Sequence, residues 1–198
     1  MKKLVITVVF FTIALFAVNA QGLYFDIGLG VGGAWTRLDG NDVSDTLQSA
    51  GGNITEIGVD LGLKMGYGPI ANIPFYIVGV LGGIGHRLDD GSDHLQFNSY
   101  LIGAGVIFYP IPLIQLAGSL GLSFVGNQTS LPMDMFGSTG GFAGDVSVAI
   151  DLGRGNHGVL IGLRYFGAIN TLETSRAVQG QHSLSVFLRY VFRHRINA

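Results

Sequence analysis

Seven charged residues stand inside otherwise apolar stretches, alternating with large hydrophobic side chains: Asp26, Asp60, Lys64, Asp145, Asp151, Arg164 and Arg189. Glu56 and Arg193 extend the set. Buried charges are tolerated only when paired, so these residues predict ion pairing in a shared, water-poor interior. Arg164 is expected beside Asp145 or Asp151 across one hairpin. Arg189 is expected near Asp26, with Lys64 approaching from a neighbouring segment. The simplest outcome is that the pairs neutralise one another and plug the interior. The alternative is a gate whose pairs exchange partners to open a path.

Other reactive side chains lack a productive arrangement. The chain has no cysteine, which excludes thiolate metal sites and a cysteine nucleophile. His182 and Ser183 are adjacent, but neighbouring residues of a strand point to opposite faces. His86, His94, His157 and His194 have no nucleophile at a suitable spacing. No catalytic activity and no cofactor are expected. Asp39, Asn41, Asp42 and Asp45, and then Asp89, Asp90, Asp93 and His94, offer oxygen and imidazole groups. They do not follow an EF-hand pattern and are read as solvated loops, with no metal expected.

The segments that must position these charges repeat with period two. From Leu23 the odd positions read Leu, Phe, Ile, Leu, Val, Gly, Trp, while Asp26 and glycines occupy the even ones. Ile57 to Met65 oppose Glu56, Asp60 and Lys64 in the same way. The pattern returns around 114–124, 142–152, 159–169 and 184–192. Two central segments, 74–87 and 95–109, are apolar on both faces. There Tyr76, Val78, Val80 and Ile84 are assigned outward, with Tyr100, Ile102, Ala104, Val106 and Phe108. This leaves Phe75, Ile77, Leu81, Leu101 and Ile107 as a possible apolar inner lining. Strict alternation argues for strands half-exposed to a second environment. Eight strands of about ten residues or slightly more match the length a tilted strand needs to cross a bilayer.

Composition says which environment. Of 198 residues, 48% are hydrophobic and only 12% charged, about half the charge of an ordinary soluble domain. Here the apolar face is continuous and the polar face is the minority, so the outer surface is expected to meet lipid. No Asp, Glu, Lys or Arg lies between Asp93 and Asp134, which invites a helical reading. Pro110 and Pro112 split that stretch into pieces too short to span. In lipid, sheets must close to leave no unpaired edge. Connections at 37–53, 88–94, 126–139 and 170–181 are expected to be long, and those at 68–73, 110–112 and 153–156 short. That asymmetry suits outer-membrane barrels. It places both termini on the short-turn, periplasmic side. Aromatic belts are expected from Phe25, Tyr67, Tyr76, Phe108, Tyr190 and Phe192 at one rim, and from Trp35, Phe97, Phe124, Phe142 and Tyr165 at the other.

The N-terminus predicts export. Lys2 and Lys3 precede an uncharged run of 15 residues, Leu4 to Val18, and then Val18-Asn19-Ala20. This is a secretory signal, residues 1–20, with cleavage expected between Ala20 and Gln21, leaving 21–198 as the barrel. Losing Lys2 and Lys3 takes the net charge from −2 to −4, which argues against a nucleic-acid partner.

The chain resembles the small eight-stranded outer-membrane barrels of the OmpA-barrel, OmpX and OmpW kind, and similar barrels of spirochaetes. The most specific local match is the last strand, where Ser185, Tyr190 and Phe192 fit the assembly signal that ends such barrels. Phe187 stands where that signal has glycine, and Arg193 to Ala198 follow the last aromatic. The resemblance implies an eight-stranded antiparallel up-and-down transmembrane β-barrel in the bacterial outer membrane. It implies outer-membrane lipid, periplasmic chaperones and the barrel-assembly machinery as partners. A structural, surface-exposed role is expected. The alternatives are an OmpW-like channel for small hydrophobic solutes and a loop-mediated adhesin or antigen binding host surface molecules.

Overall fold

The computed structural model describes residues 22–70, 73–91, 93–129, 138–153, 155–173 and 175–193. The expected cleavage point, Ala20–Gln21, lies outside these residues. Among them, eight long strands follow one another around a ring. They are β1 (Leu23–Leu38), β2 (Thr55–Tyr67), β3 (Phe75–Asp89), β4 (His94–Ile111), β5 (Ile114–Val125), β6 (Ser138–Asp151), β7 (His157–Leu172) and β8 (Val178–Arg193). Each pairs antiparallel with its sequence neighbours, and β8 returns to pair with β1 from Tyr24↔Arg193 to Leu38↔Gln179. The closed ladder leaves no free edge, the condition a sheet must meet in hydrocarbon. No helix among the described residues is long and apolar enough to cross a membrane.

The two faces are inverted relative to a soluble protein. Leu29, Val31, Leu61, Ile102, Leu120, Phe142, Val146 and Leu188 face outward and are exposed, with Leu120 at 76% and Phe142 at 75%. Asp26, Asp60, Lys64, Asp145, Arg164 and Arg189 face inward and are buried. A wall so apolar is stable only against lipid. Trp35, Tyr100, Phe124, Phe142 and Tyr165 lie outward toward one end, and Tyr67, Phe108 and Tyr190 toward the other.

The structure corrects one strand by a single residue. In β3 the odd positions face out: Ile77 is 55% and Leu81 50% exposed, and Phe75 is half-buried at the strand start. Tyr76, Val78, Val80 and Ile84 point into the lumen instead. Phe75, Ile77 and Leu81 therefore do not line the interior, whereas Leu101 and Ile107 of β4 do. Pairing with β2 sets the register, because Val80 opposes Lys64 and Ile84 opposes Asp60. A one-residue slip would send every side chain of the strand to the other face. Tyr76 consequently leaves the aromatic belt for the lumen, and Phe97 lies in the lumen too, on the inward face of β4 that it shares with Leu101 and Ile107.

The connections also differ from expectation. The ladder between β3 and β4 continues to Asp89↔His94, and that between β7 and β8 reaches Thr171↔Val178. Residues 88–89 and 94, and 170–172 and 178–181, thus belong to the strands rather than to the expected connections 88–94 and 170–181. The long connections, 39–54 and the one that leaves β5 at 126, start from the same end of the barrel. That end is the loop end of the barrel, and the opposite one the turn end. Acidic residues shape the loop-end connections. Asp42 caps helix α1 (Val43–Ser49), its Oδ1 accepting from the Ser44 amide at 3.0 Å. Asp39, in the left-handed region at φ 49°, accepts from the Val178 amide at 2.8 Å. Asp90 accepts from the Asp93 amide at 2.7 Å.

Candidate functional site

The lumen holds three layers of side chains, each built from the inward positions of successive strands. At the turn end, Arg193 Nη2 lies 2.6 Å from Asp151 Oδ2, and its guanidinium sits over the Tyr109 ring at 5.1 Å. Tyr24, Tyr76 and Tyr109 cluster there, with ring centroids 5.1 and 6.0 Å apart. Gln115 Nε2 donates to the hydroxyls of Tyr24 at 2.8 Å and Tyr109 at 2.7 Å. Tyr24 in turn donates to Asp26 at 2.7 Å.

The middle layer is ionic. Arg164 of β7 bridges Asp145 of β6 through Nε at 2.6 Å and Asp60 of β2 through Nη1 at 3.1 Å. Lys64 of β2 lies 3.7 Å from Asp145. Arg189 of β8 stands 3.7 Å from Asp26 and 3.6 Å from Asp60. Ser185 donates to Asp60 at 2.7 Å, and Ser119 donates to Asp145. The bulky guanidiniums fit because glycines face them. A Cβ at Gly62 would stand 2.7 Å from Arg189 Nη2, and one at Gly82 would stand 3.2 Å from Arg164 Nη2.

The structure therefore brings Arg164 to Asp145 rather than Asp151, which goes to Arg193. Arg189 faces Asp26, while Lys64 reaches across to Asp145. Together with Arg193, four cations meet four carboxylates. Glu56 stands apart at the loop-end rim, with His86 Nε2 3.3 Å from its carboxylate.

The third layer, at the loop end, carries polar groups with little charge. Thr36 Oγ1 of β1 and His86 Nδ1 of β3 lie 2.8 Å apart. Gln181 of β8 donates across the lumen to the Phe97 carbonyl of β4 at 2.9 Å. Asn127, beyond β5, donates to Gln179 Oε1 at 2.7 Å. Sequence reading missed this layer. Its signal was present in the last strand, where Gln179, Gln181, Ser183 and Ser185 alternate with outward residues. Ser183 points in, while the half-buried His182 stacks on Tyr165 with Nδ1 2.8 Å from its hydroxyl.

The assembly-signal residues divide between the faces. Ser185 is buried in the lumen, Tyr190 is exposed on the wall, and Phe192 packs edge-on against His157 at 5.0 Å. Among the described residues, no group of three or more His, Cys, Asp or Glu is placed to hold a metal ion.

No family model and no curated protein matches the sequence. Solved structures do. The attachment invasion locus protein Ail of Yersinia pestis, in complex with the heparin analogue sucrose octasulfate, is 15% identical, with a TM-score of 0.53 over 85% of this chain and 99% of that one. OprG from Pseudomonas aeruginosa is 12% identical, with a TM-score of 0.46 over 87% of this chain and 97% of that one. The outer-membrane enzyme PagL is 14% identical, with a TM-score of 0.48 over 86% of this chain and 99% of that one. PagL corrects the expectation that the chain lacks catalytic activity. An enzyme stands among the proteins of similar fold, so the fold gives no ground for excluding catalysis. The closed ring, the inverted faces and the likeness to Ail together give this chain the fold of the small eight-stranded outer-membrane barrels.

Proposed function

We propose that the protein is an integral outer-membrane barrel whose lumen is sealed to ions and whose work is done at its loop end, facing outward from the cell. The observation that carries this reading is the middle layer, where Arg164, Lys64 and Arg189 meet Asp60, Asp145 and Asp26 as bridges between separate strands. An eight-stranded barrel is only wide enough for its own side chains or one small ligand, and these side chains cross it. In this reading residues 1–20 are a signal peptide cut between Ala20 and Gln21. Both chain ends lie in the periplasm, chaperones deliver the chain, and the assembly machinery reads Ser185, Tyr190 and Phe192. The loop end carries Asp39, Asp42, Asp45, Asp89, Asp90 and Asp93 against Arg37, Arg87 and Arg176. That balance disfavours a polyanion such as the heparin analogue held by Ail and favours a neutral or basic surface molecule.

Planar-bilayer recording tests the seal. The refolded protein is expected to give no steady conductance. Arg164→Ala, which removes the group bridging Asp60 and Asp145, is expected to give opening events. A steady conductance in the parent protein refutes the seal. One feature favours a second reading, passage of small hydrophobic solutes: Val78, Val80, Ile84, Leu101 and Ile107 form an apolar strip on the inner wall of β3 and β4. Uptake of an apolar dye into vesicles that exclude ions would support that path.

A further inference from the structure

Two amide side chains stand on the outward face of an otherwise apolar wall. Gln96 and Asn98 of β4 take the outward positions that Tyr100 and Ile102 continue. Asn98 is nevertheless only 5% exposed. Its Nδ2 donates to the Gly126 carbonyl at 2.6 Å, and its Oδ1 accepts from Gln96 Nε2 at 3.0 Å. These amides border a strand with little of its own to cover it. The outward positions of β3 read Ile77, Gly79, Leu81, Gly83, Gly85 and Arg87. A Cβ at Gly85 would stand 2.9 Å from Asn98 Oδ1, and one at Gly83 would stand 3.0 Å from the Tyr100 ring.

The missing side chains leave a groove in the outer wall. Its loop-end part has a volume of 430 Å³, with Val59 and Leu61 of β2 on one bank, Gln96, Asn98 and Tyr100 of β4 on the other, and Gly83 and Gly85 between them. Leu63 and Leu81 belong also to a turn-end part of 730 Å³, which continues the groove past Gly79. From Arg87 to Leu81 the strand advances about 20 Å, at ~3.3 Å per residue. At a tilt of ~45° this is about 14 Å of depth, roughly half of a ~30 Å hydrocarbon core. The loop-end part therefore matches the depth of one leaflet.

The surroundings and the charges at its mouth select the occupant. Lipid tails are as apolar as leucine, so a second protein finds no hydrophobic driving force in this groove. A tail is flexible and fills it from the bilayer already around the wall. The loop-end mouth adds selection. Arg87 stands opposite Gln96 in the ladder. Its Nη2 lies 2.6 Å from Asp89 Oδ2, in an ion pair whose side chains are 46% and 33% exposed. An exposed pair of this kind contributes little and yields its partners to a better-matched group. Asp89, Asp90 and Asp93 outnumber Arg87 at this rim, which opposes a purely anionic headgroup. A headgroup that carries both a phosphate and an ammonium answers Arg87 and Asp89 together. We infer that the loop-end part of the groove is a binding site for one zwitterionic glycerophospholipid of the phosphatidylethanolamine type. One acyl chain lies along Gly85 and Gly83 toward Leu81, and the headgroup meets Arg87 and Asp89. Gln96 and Tyr100 stand at the level of the ester groups. The site lies on the outer wall and stands whether or not the lumen conducts.

The test is a titration of the refolded protein in micelles with dimyristoylphosphatidylethanolamine and, separately, with dimyristoylphosphatidylglycerol, the lipid-bound barrels being counted by native mass spectrometry. One ethanolamine lipid is expected to saturate each barrel, about tenfold more tightly than the glycerol lipid. Arg87→Gln is expected to weaken that binding about tenfold, the size of one hydrogen bond to a charged group. Asp89→Asn is expected to erase the preference between the two lipids. Val59→Trp, which fills the groove from its β2 bank, is expected to abolish saturation. Equal affinity of the parent protein for the two lipids, binding without saturation, or a folded Val59→Trp variant that binds like the parent overturns the site. Paired barrels in place of a lipid-bound one overturn it as well and make the groove an interface between copies of this chain.

Discussion

Replacing Arg164 by leucine removes the cation at the centre of the middle layer. Its Nε and Nη1 lie 2.6 Å from Asp145 and 3.1 Å from Asp60, and all three side chains are about 1% exposed or less. At an effective dielectric of about 20, each such contact is an attraction of about 5–6 kcal/mol before desolvation is counted. Removing one partner of a buried pair costs about 3–5 kcal/mol, because the other charge stays buried. Here the loss falls toward the lower end, since Lys64 remains 3.7 Å from Asp145 and Arg189 3.6 Å from Asp60. A loss of ~3 kcal/mol lowers the folding equilibrium by about two decades. Urea unfolding of the barrel in lipid vesicles measures it, with fluorescence from Trp35, the chain's single tryptophan and 46% exposed on the outer wall. Adding Asp60→Asn removes one of the stranded charges and is expected to recover part of the loss. A loss below ~1 kcal/mol, the size of an exposed ion pair, would falsify the buried-network account. So would a double variant no more stable than Arg164→Leu alone.

Two further outcomes test the register and the packing. Cysteines introduced one at a time at Leu81 and Val80 and labelled with a fluorophore should differ: brominated lipid should quench the label at 81 and spare that at 80, and the reverse would restore the opposite register. Gly62→Ala should cost ~1–3 kcal/mol, as overpacking does, because its Cβ would stand 2.7 Å from Arg189 Nη2. Gly79→Ala, whose Cβ would stand 3.7 Å from the Met65 carbonyl oxygen, should be close to neutral in the same unfolding assay, and equal losses at the two positions would show that lumen packing is not what Gly62 serves.

What could be read from residues depended on how different the two faces of a strand are. In β1 leucines and isoleucines alternate with glycines and Asp26, so only one register makes sense. In β3 both faces are apolar or glycine as far as Ile84, and glycines 79, 83 and 85 turn out to share the outward positions with Ile77 and Leu81. Nothing local favours that choice. It is imposed by β2, whose Lys64 and Asp60 must point inward and so fix the partners Val80 and Ile84 beside them. The same distinction separates the charge pairs. Arg164 with Asp145 joins adjacent strands, and Arg189 with Asp26 joins the two that close the ring, so chain order was enough to suggest both. Lys64 with Asp145 joins β2 to β6, on opposite sides of the ring, and Gln181 with the Phe97 carbonyl joins β8 to β4 in the same way. Contacts across a lumen depend on strand tilt and side-chain length, neither of which alternation records. Period two therefore reveals a wall and its two solvents, while the order of groups inside depends on closure. That is why the charged layer, whose members cannot be buried alone, was legible in outline, and the neutral amides and hydroxyls above it, which carry no such constraint, were not.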